Sequence, residues 1–353
     1  MSRFFSSKYD ALTPYTPGEQ PRDSQYIKLN TNESPYATSE LARAYAAKEA
    51  ANLRLYSDPE CTDLVQKGAE YFGVNTDEIL FTNGSDEALD FAVMAFCDEK
   101  TPALFPDITY GFYPVMCSLH GVPFKEIPLN EDLTLNPEEY YHAEHTIFLA
   151  NPNAPTGIAL PLSEIRKILE SNPDHVVIVD EAYVDFGAES AVPLIHEYSN
   201  LLVIQTMSKS RSLAGGRLGF VIGNRELIRD LNTIKYSFHP YNVNRMTMAA
   251  GIGALEDDAY MKENCSKIMQ TRAYTADQLK SLGFALTDSK SNFLFAKHPS
   301  ISGRDLYEEL KKRGILVRYF DKPRLRAYVR ITIGTQEQME TFINTVTEIL
   351  KER

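Results

Sequence analysis

Lys209 lies in the stretch TMSKSRSLAGGRLGF (206–220), among hydroxyls and glycines and eight positions before Arg217. An amine in such company can condense with an aldehyde. It becomes catalytic when three other groups attend it: a carboxylate to keep a pyridine nitrogen protonated, a phenol beside the ring oxygen, and a cradle for a phosphate. Asp180 follows the apolar β-formers Val176 to Val179, so its carboxylate should emerge at a strand end, and Tyr183 comes three residues later. An aspartate after a strand is by default a helix cap or a surface acid; the nearby phenol turns the reading toward an aromatic ring. The loop Asn83-Gly84-Ser85-Asp86 sits between a strand and a helix, where free N–H groups and the helix dipole favour an anion. With Ser208 and Arg217 it would form a phosphate cup, the guanidinium acting as a planar fork. The set points to a covalently held pyridoxal phosphate.

Two further groups belong with it. Trp is absent while Tyr and Phe number 20 and 18, so a face stacked on a cofactor ring must come from Tyr, Phe or His, and Tyr110 in FPDITYGFY is the best placed. Arg318 and Arg330 fall on two short strands, VRYF and YVRITIG. Strand alternation sends an arginine to solvent by default, but two guanidinium groups at one spot would bind a phosphate monoester or a carboxylate.

The elements that must position these residues are short apolar runs alternating with helical periods. EILFTNGSDEALDFAVMAF (78–96) reads strand, loop, helix, and HTIFLANPN (145–153), HVVIVDEAYVDF (175–186) and NLLVIQTMSKS (200–210) each read as a strand entering a polar loop. This predicts an α/β fold with a mostly parallel central sheet, helices on both faces, and a ligand cleft at the C-terminal strand edge. Ser39 caps a helix over ELARAYAAKEAANL. Residues 1–27, polar and rich in proline and tyrosine, are expected to be an arm packing on the small domain; 28–250 form a large cofactor-binding domain and 251–353 a smaller α+β domain. In the latter a helical stretch (255–282) leads to the strand SNFLFAKH, a helix from Ser302 to Gly314, and the strands ILVRYF and YVRITIG. The closing helix carries capping-box spacing at Thr335 and Gln338, with Met339, Phe342, Ile343, Val346 and Leu350 on one face.

Composition excludes several classes. The chain has 353 residues, 43% of them hydrophobic and 24% charged, with a formal net charge of −12, which disfavours nucleic acid and acidic membranes as partners. Cys61, Cys97, Cys117 and Cys265 show no CxxC spacing, so no metal site or disulfide framework is expected. No GxGxxG follows a strand and no GxxxxGK[ST] occurs. Without a signal-peptide core or bilayer-spanning run, a cytoplasmic location is expected. A cofactor-sensing regulator would need a basic DNA-binding domain, for which the reading leaves no room.

Taken together, KLNTNESPY (28–36), LRLYSDP, TNGSDEA, PDITYGFYP, NPNAPTG, VIVDEAYVDF, TMSKSRSLAGGRLGF, YNVNR and VRYFDKPRLRAYVRITIGT resemble, in order and spacing, the fold-type I pyridoxal-phosphate aminotransferases, in particular their histidinol-phosphate branch. The resemblance spans nearly the whole chain. It implies that Lys209 forms the Schiff base and moves the proton, that Asp180 holds the pyridinium, that Tyr183 serves the ring oxygen, or Asn153 if its loop shifts, and that Tyr110 stacks on the ring. The cofactor phosphate would sit among Gly84, Ser85, Ser208 and Arg217, with Asp86 and Thr206 also binding the cofactor. Tyr56 would cross to a neighbouring subunit's site, implying a homodimer, and Asn32, Arg318 and Arg330 would bind substrate. The implied reaction, a step of histidine biosynthesis, is transamination between L-histidinol phosphate and 2-oxoglutarate, giving imidazole-acetol phosphate and L-glutamate. Aromatic amino-acid aminotransferases and threonine-phosphate decarboxylases share the framework. One position departs from the pattern: Ala154 stands where the family more often has an asparagine donating to the ring hydroxyl.

Overall fold

The computed structural model describes residues 2–21 and 26–352. After a short strand β1 (Ile27–Lys28), the chain lays down a seven-stranded sheet from β2 (Ile79–Thr82), β3 (Ala103–Pro106), β4 (Phe124–Ile127), β5 (Thr146–Ala150), β6 (Val177–Asp180), β7 (Leu201–Thr206) and β8 (Gly219–Gly223). Their spatial order is β2-β8-β7-β6-β5-β3-β4. All run parallel except β8, which is antiparallel to β2 and β7. The central strands read as unbroken apolar runs because helices cover both faces. Alternate residues enter opposite cores: Phe81, Val179 and Val203 on one side, Leu80, Ile178 and Leu202 on the other. β2, β5, β6 and β7 therefore end at one edge, and Ala150, Asp180 and Ile204 stand in register there.

The smaller domain contains β9 (Ala285–Leu286), β10 (Phe293–Lys297), β11 (Ile315–Leu316), β12 (Arg318–Tyr319) and β13 (Tyr328–Thr332). A four-stranded antiparallel sheet, β12-β13-β10-β9, is accompanied by a parallel pair, β1-β11. Helix Gly303–Lys312 starts at a Ser302 cap accepting from the Asp305 amide, and helix Gln336–Lys351 starts at the Thr335/Gln338 capping box. Met339, Phe342, Ile343 and Val346 bury the expected face; Ile349 completes it, with Leu350 packed at its margin.

Three details differ from the sequence reading. ILVRYF is two strands: Ile315–Leu316 pairs with β1, and Arg318–Tyr319 with β13, so each half satisfies its backbone against a different partner. Residues 27–29 consequently sit with the small domain, where Leu29 enters the core. The two cores change over at Asp257 rather than at 250: helix Arg245–Glu256 gives Ala250, Ala254 and Leu255 to the large-domain core, and helix Asp258–Ser281 gives Met261, Cys265 and Ile268 to the other.

The arm lies across both domains rather than on the small one alone. Tyr15 packs edge-on against Phe112 at 5.4 Å and near Tyr110 at 6.3 Å, while the carbonyls of Thr16 and Pro17 accept from Arg318 and Glu19 pairs with Lys311 at 2.7 Å. The aromatic portion follows the large domain's aromatic loop, and the exposed carbonyls and carboxylate follow the small domain's cations. Among the described residues no helix is long and apolar enough to cross a membrane, and no group of three or more His, Cys, Asp and Glu residues is arranged to hold a metal ion.

Candidate active site

Two adjoining cavities, of about 360 and 620 Å³, open at the C-terminal edge of the sheet and share Thr31, Tyr110, Ala154, Tyr183 and Lys209 in their walls. Both fall in the size range of small-molecule sites.

The smaller cavity ends in an anion cradle. Gly84, at φ +81, precedes helix Ser85–Phe96 with no side chain capping the first turn, so its N–H groups face the cavity with the positive end of the helix dipole. A Cβ at Gly84 would stand 2.5 Å from Arg217 Nη2, which explains why this close approach requires glycine. Arg217 lies 3.0 Å from Asp86, whose other oxygen accepts from Tyr110 at 2.7 Å. Ser208 and Thr206 are buried beside it, their hydroxyls 2.9 Å apart. The sequence-predicted cup of Gly84, Ser85, Ser208 and Arg217 is thus assembled in one place, with the cofactor-binding candidates Asp86 and Thr206 beside it.

Asp180, at the end of β6, is 5% exposed and accepts from Tyr113 Oη at 2.8 Å and from the Ala182 amide at 3.2 Å. Burial pushes its carboxyl up to about 6, against these two donors. A cationic ring nitrogen at this carboxylate would supply the missing counter-charge. Tyr113 is a residue that the sequence reading passed over. It lies three positions after Tyr110 in the same aromatic run, hidden by the abundance of aromatics, and its ring packs edge-on against Tyr110 at 5.6 Å. Tyr113→Phe removes one of two donors to a buried carboxylate. It should cost roughly 1–3 kcal/mol of stability, read as a lowered urea midpoint of the cofactor-free protein at neutral pH; an unmoved midpoint would contradict the bond's importance.

The Lys209 ammonium approaches the Thr31 carbonyl at 3.3 Å and lies 5.9 Å from the centre of the Tyr183 ring. Burial, followed by the field of Arg330, lowers its pKa to about 8. Only the neutral amine attacks an aldehyde. The rate at which cofactor-free protein captures pyridoxal phosphate should therefore rise as pH passes through about 8; a flat rate between roughly pH 7 and 9 would contradict this environment.

Around the ring position the structure sorts the remaining candidates. Tyr183 accepts from Asn32 Nδ2 at 2.9 Å and packs edge-on against Phe293. Asn153 is the correction. Its amide donates to the Ile108 carbonyl at 2.9 Å and to Thr156 at 3.1 Å, and accepts from Thr109 at 2.8 Å. It staples two loops together and is not part of the cavity wall, whereas Ala154 beside it is. Asn32, expected to meet substrate, borders the larger cavity but spends its side chain on Tyr183 and Thr332.

The larger cavity is the cationic one. Arg330 and Arg318 face each other across β13 and β12 in direct register. Arg330 is held by the Asn30 carbonyl at 3.0 Å and bracketed by Phe293 and Phe320; its Nε is buried without a partner. Arg318 also lies over Phe320. Tyr15 and Gln20 of the arm complete the wall, a contribution invisible in sequence because only tertiary packing brings the arm there. Tyr56 stands apart: it is 81% exposed and stacks on Tyr241 at 4.8 Å, far from the walls of either cavity.

A half-buried amine, a buried acid at a strand end, an anion cradle and a phenol, all lining one cavity, fit pyridoxal phosphate. The family model for class I and II aminotransferases matches residues 24–346. The chain is 49% identical over 353 residues to the histidinol-phosphate aminotransferase of Brachyspira hyodysenteriae, covering 99% of this chain and 100% of that protein. It is 47% identical to histidinol-phosphate aminotransferase 1 of Oceanobacillus iheyensis, covering 99% of each. The fold is shared with a pyridoxal-5'-phosphate complex of histidinol-phosphate aminotransferase from Sinorhizobium meliloti, at TM-score 0.88 and 20% identity over 100% of this chain and 99% of that one. It is also shared with L-threonine-O-3-phosphate decarboxylase from Porphyromonas gingivalis, at TM-score 0.80 and 23% identity over 92% and 99%. At these identities the two structures speak to fold alone.

Proposed function

From the premise that the chain belongs to the class I and II aminotransferases, within them to the histidinol-phosphate aminotransferases, we propose that the two cavities form one active site, which transfers the amino group of L-histidinol phosphate to 2-oxoglutarate. Bound pyridoxal phosphate supplies the aldehyde and the electron sink of this chemistry. Gly84, Ser85, Ser208 and Arg217 hold its phosphate, with Asp86 and Thr206 orienting them; Tyr110 covers the ring and Asp180 keeps a proton on the ring nitrogen. Lys209 would hold the aldehyde carbon. Its Nζ, once free, would take the proton from the donor's Cα and return it to the carbon on the far side of the donor's nitrogen. Its lowered pKa, about 8, lets it do both near neutrality.

The observation that carries the substrate assignment is the half-buried Arg330, its buried Nε unpartnered, facing Arg318 across the strand pair in the cavity that Lys209 also lines. Two guanidinium forks suit a phosphate monoester in one half-reaction and a carboxylate in the other. Tyr15 and Tyr110, which line the same cavity, offer aromatic surface for a flat ring.

The protein acts as a homodimer in the cytoplasm. Supporting the dimer, Leu53, Leu55, Tyr56, Phe238 and Tyr241 form an exposed apolar patch of the kind that marks an interface, and Arg245 pins the loop by donating to the Tyr56 carbonyl at 3.0 Å. Tyr56 would then reach the partner's cofactor phosphate.

The test is the visible spectrum of the purified holoenzyme as L-histidinol phosphate is added without keto acid, with L-phenylalanine and threonine phosphate in parallel. Conversion of the bound cofactor's visible band at low histidinol phosphate alone is expected. Better conversion by phenylalanine, or CO₂ release from threonine phosphate, would overturn the substrate and keep the site.

A further inference from the structure

The ring oxygen of the cofactor needs a hydrogen-bond donor, and the loop between β5 and the following helix does not provide one. Ala154 lines the cavity with a methyl group, and the Asn153 amide is consumed by Ile108, Thr109 and Thr156. The requirement falls on Tyr183, whose hydroxyl has a single proton to give.

Which way that proton points is decided by Asn32. Its Nδ2 donates to Tyr183 Oη at 2.9 Å. Its Oδ1 accepts from Thr332 Oγ1 at 3.0 Å, its backbone N–H donates to the same hydroxyl at 3.0 Å, and its carbonyl accepts from Asn292 Nδ2 at 2.9 Å. The residue is 1% exposed and sits at φ +58, a left-handed conformation that asparagine tolerates better than most side chains. Because Thr332 presents a proton to Oδ1, the amide nitrogen faces Tyr183, and the phenol must accept there and donate into the cavity.

We propose that Asn32 is a positioning residue for Tyr183: it aims the phenol proton at the cofactor's ring oxygen and so takes over, through Tyr183, what an asparagine at position 154 would do directly. The inference rests on the pyridoxal-phosphate reading of the pocket. Asn32 is anchored to Thr332 on β13 and Asn292 before β10, whereas Tyr183 belongs to the large domain. Thr332 is two residues from Arg330 and hence on the same face of β13. The strand that receives the substrate's anion thereby also holds the group that sets the ring oxygen's partner.

A donor at the ring oxygen favours the form in which that oxygen carries negative charge uncompensated by a proton on the neighbouring nitrogen, so losing the donor raises the pH at which the lysine-bound cofactor's visible band titrates. In Asn32→Ala the midpoint should rise by roughly one pH unit, the scale of one charge-assisted hydrogen bond. Thr332→Val should move it the same way by less. Asn32→Asp must accept from both Thr332 and Tyr183; it should turn the phenol proton away from the cofactor and raise the midpoint at least as far as Asn32→Ala. Adding Ala154→Asn to Asn32→Ala should bring the midpoint back. The other charges acting on Tyr183 are Arg330 from β13, Asp180 from β6 and Asp86 from the helix after Gly84, with Lys209 over the ring, and none is altered by these substitutions.

A second readout needs no cofactor: in the cofactor-free protein the Tyr183 phenol, followed by ultraviolet difference titration against Tyr183→Phe, should titrate higher in Asn32→Ala. An unmoved band midpoint in Asn32→Ala, or a wild-type midpoint in Asn32→Asp, would overturn the proposal. Absence of any visible band in the unsubstituted holoenzyme would instead overturn the pocket reading on which it rests.

Discussion

Replacing Lys209 by alanine should lower kcat/KM by about 10⁴-fold or more, the upper end of what a positioned acid–base contributes, with the covalent attachment lost as well. The reason is local. Lys209 is the lysine in the wall common to both cavities; Lys322 borders only the larger one, away from the cradle, and Lys28 is paired with Glu33. Lys209→Arg should fare no better, because a guanidinium stays protonated and cannot attack the aldehyde. Pyridoxal phosphate should still bind through the cradle around Arg217 and the Asp180 carboxylate, but with the spectrum of the free aldehyde. Single-turnover kinetics and absorbance read the two effects separately. A Lys209→Ala protein that kept the wild-type visible band would remove Lys209 from the mechanism.

Replacing Arg330 by leucine should raise KM for the phosphate substrate and for the keto acid by roughly 10- to 100-fold, the equivalent of one or two charge-assisted hydrogen bonds. The fold should tolerate it. Arg330 is packed between Phe293 and Phe320 and carries no carboxylate partner, so the substitution removes an uncompensated, half-buried charge from an aromatic bracket. Arg330→Lys keeps the charge and loses the planar fork; it should fall between wild type and leucine. The decisive measurement is the split between KM and kcat for both half-reactions. Unchanged KM for both acidic substrates, with unchanged melting temperature, would mean that the anion binds elsewhere in the cavity.

Much of this site could be read from the chain because its chemistry is carried by short segments whose geometry is local. A run of apolar β-formers ending in Asp180 must place that carboxylate at a sheet edge, and Gly84-Ser85 between strand and helix must offer N–H groups to an anion. Parallel strands then bring the ends together, so Lys209, Asp180, Tyr183 and the cup converge without needing any single long-range contact to be foreseen. Arg318 and Arg330 were likewise findable, since adjacent short antiparallel strands leave few registers.

What escaped depends on how side chains spend their hydrogen bonds in three dimensions. Asn153 carries the donor that a ring oxygen would use, yet its amide is satisfied within its own loops, and sequence has no means of ranking those alternatives. Tyr113 was indistinguishable from neighbouring aromatics until its hydroxyl was seen on Asp180.

The chain alone therefore determined the fold class, the order of the strands' functional ends and which amine, acid and phosphate-cup residues are candidates, because periodicity and turn chemistry act over a few residues. Tertiary structure alone decided that the arm joins the cavity wall, that β1 belongs with β11, and that Asn32, tied to Thr332 some 300 residues away, orients Tyr183. Such choices are made when buried donors compete for a limited number of acceptors, and that competition exists only once the two domains are packed together.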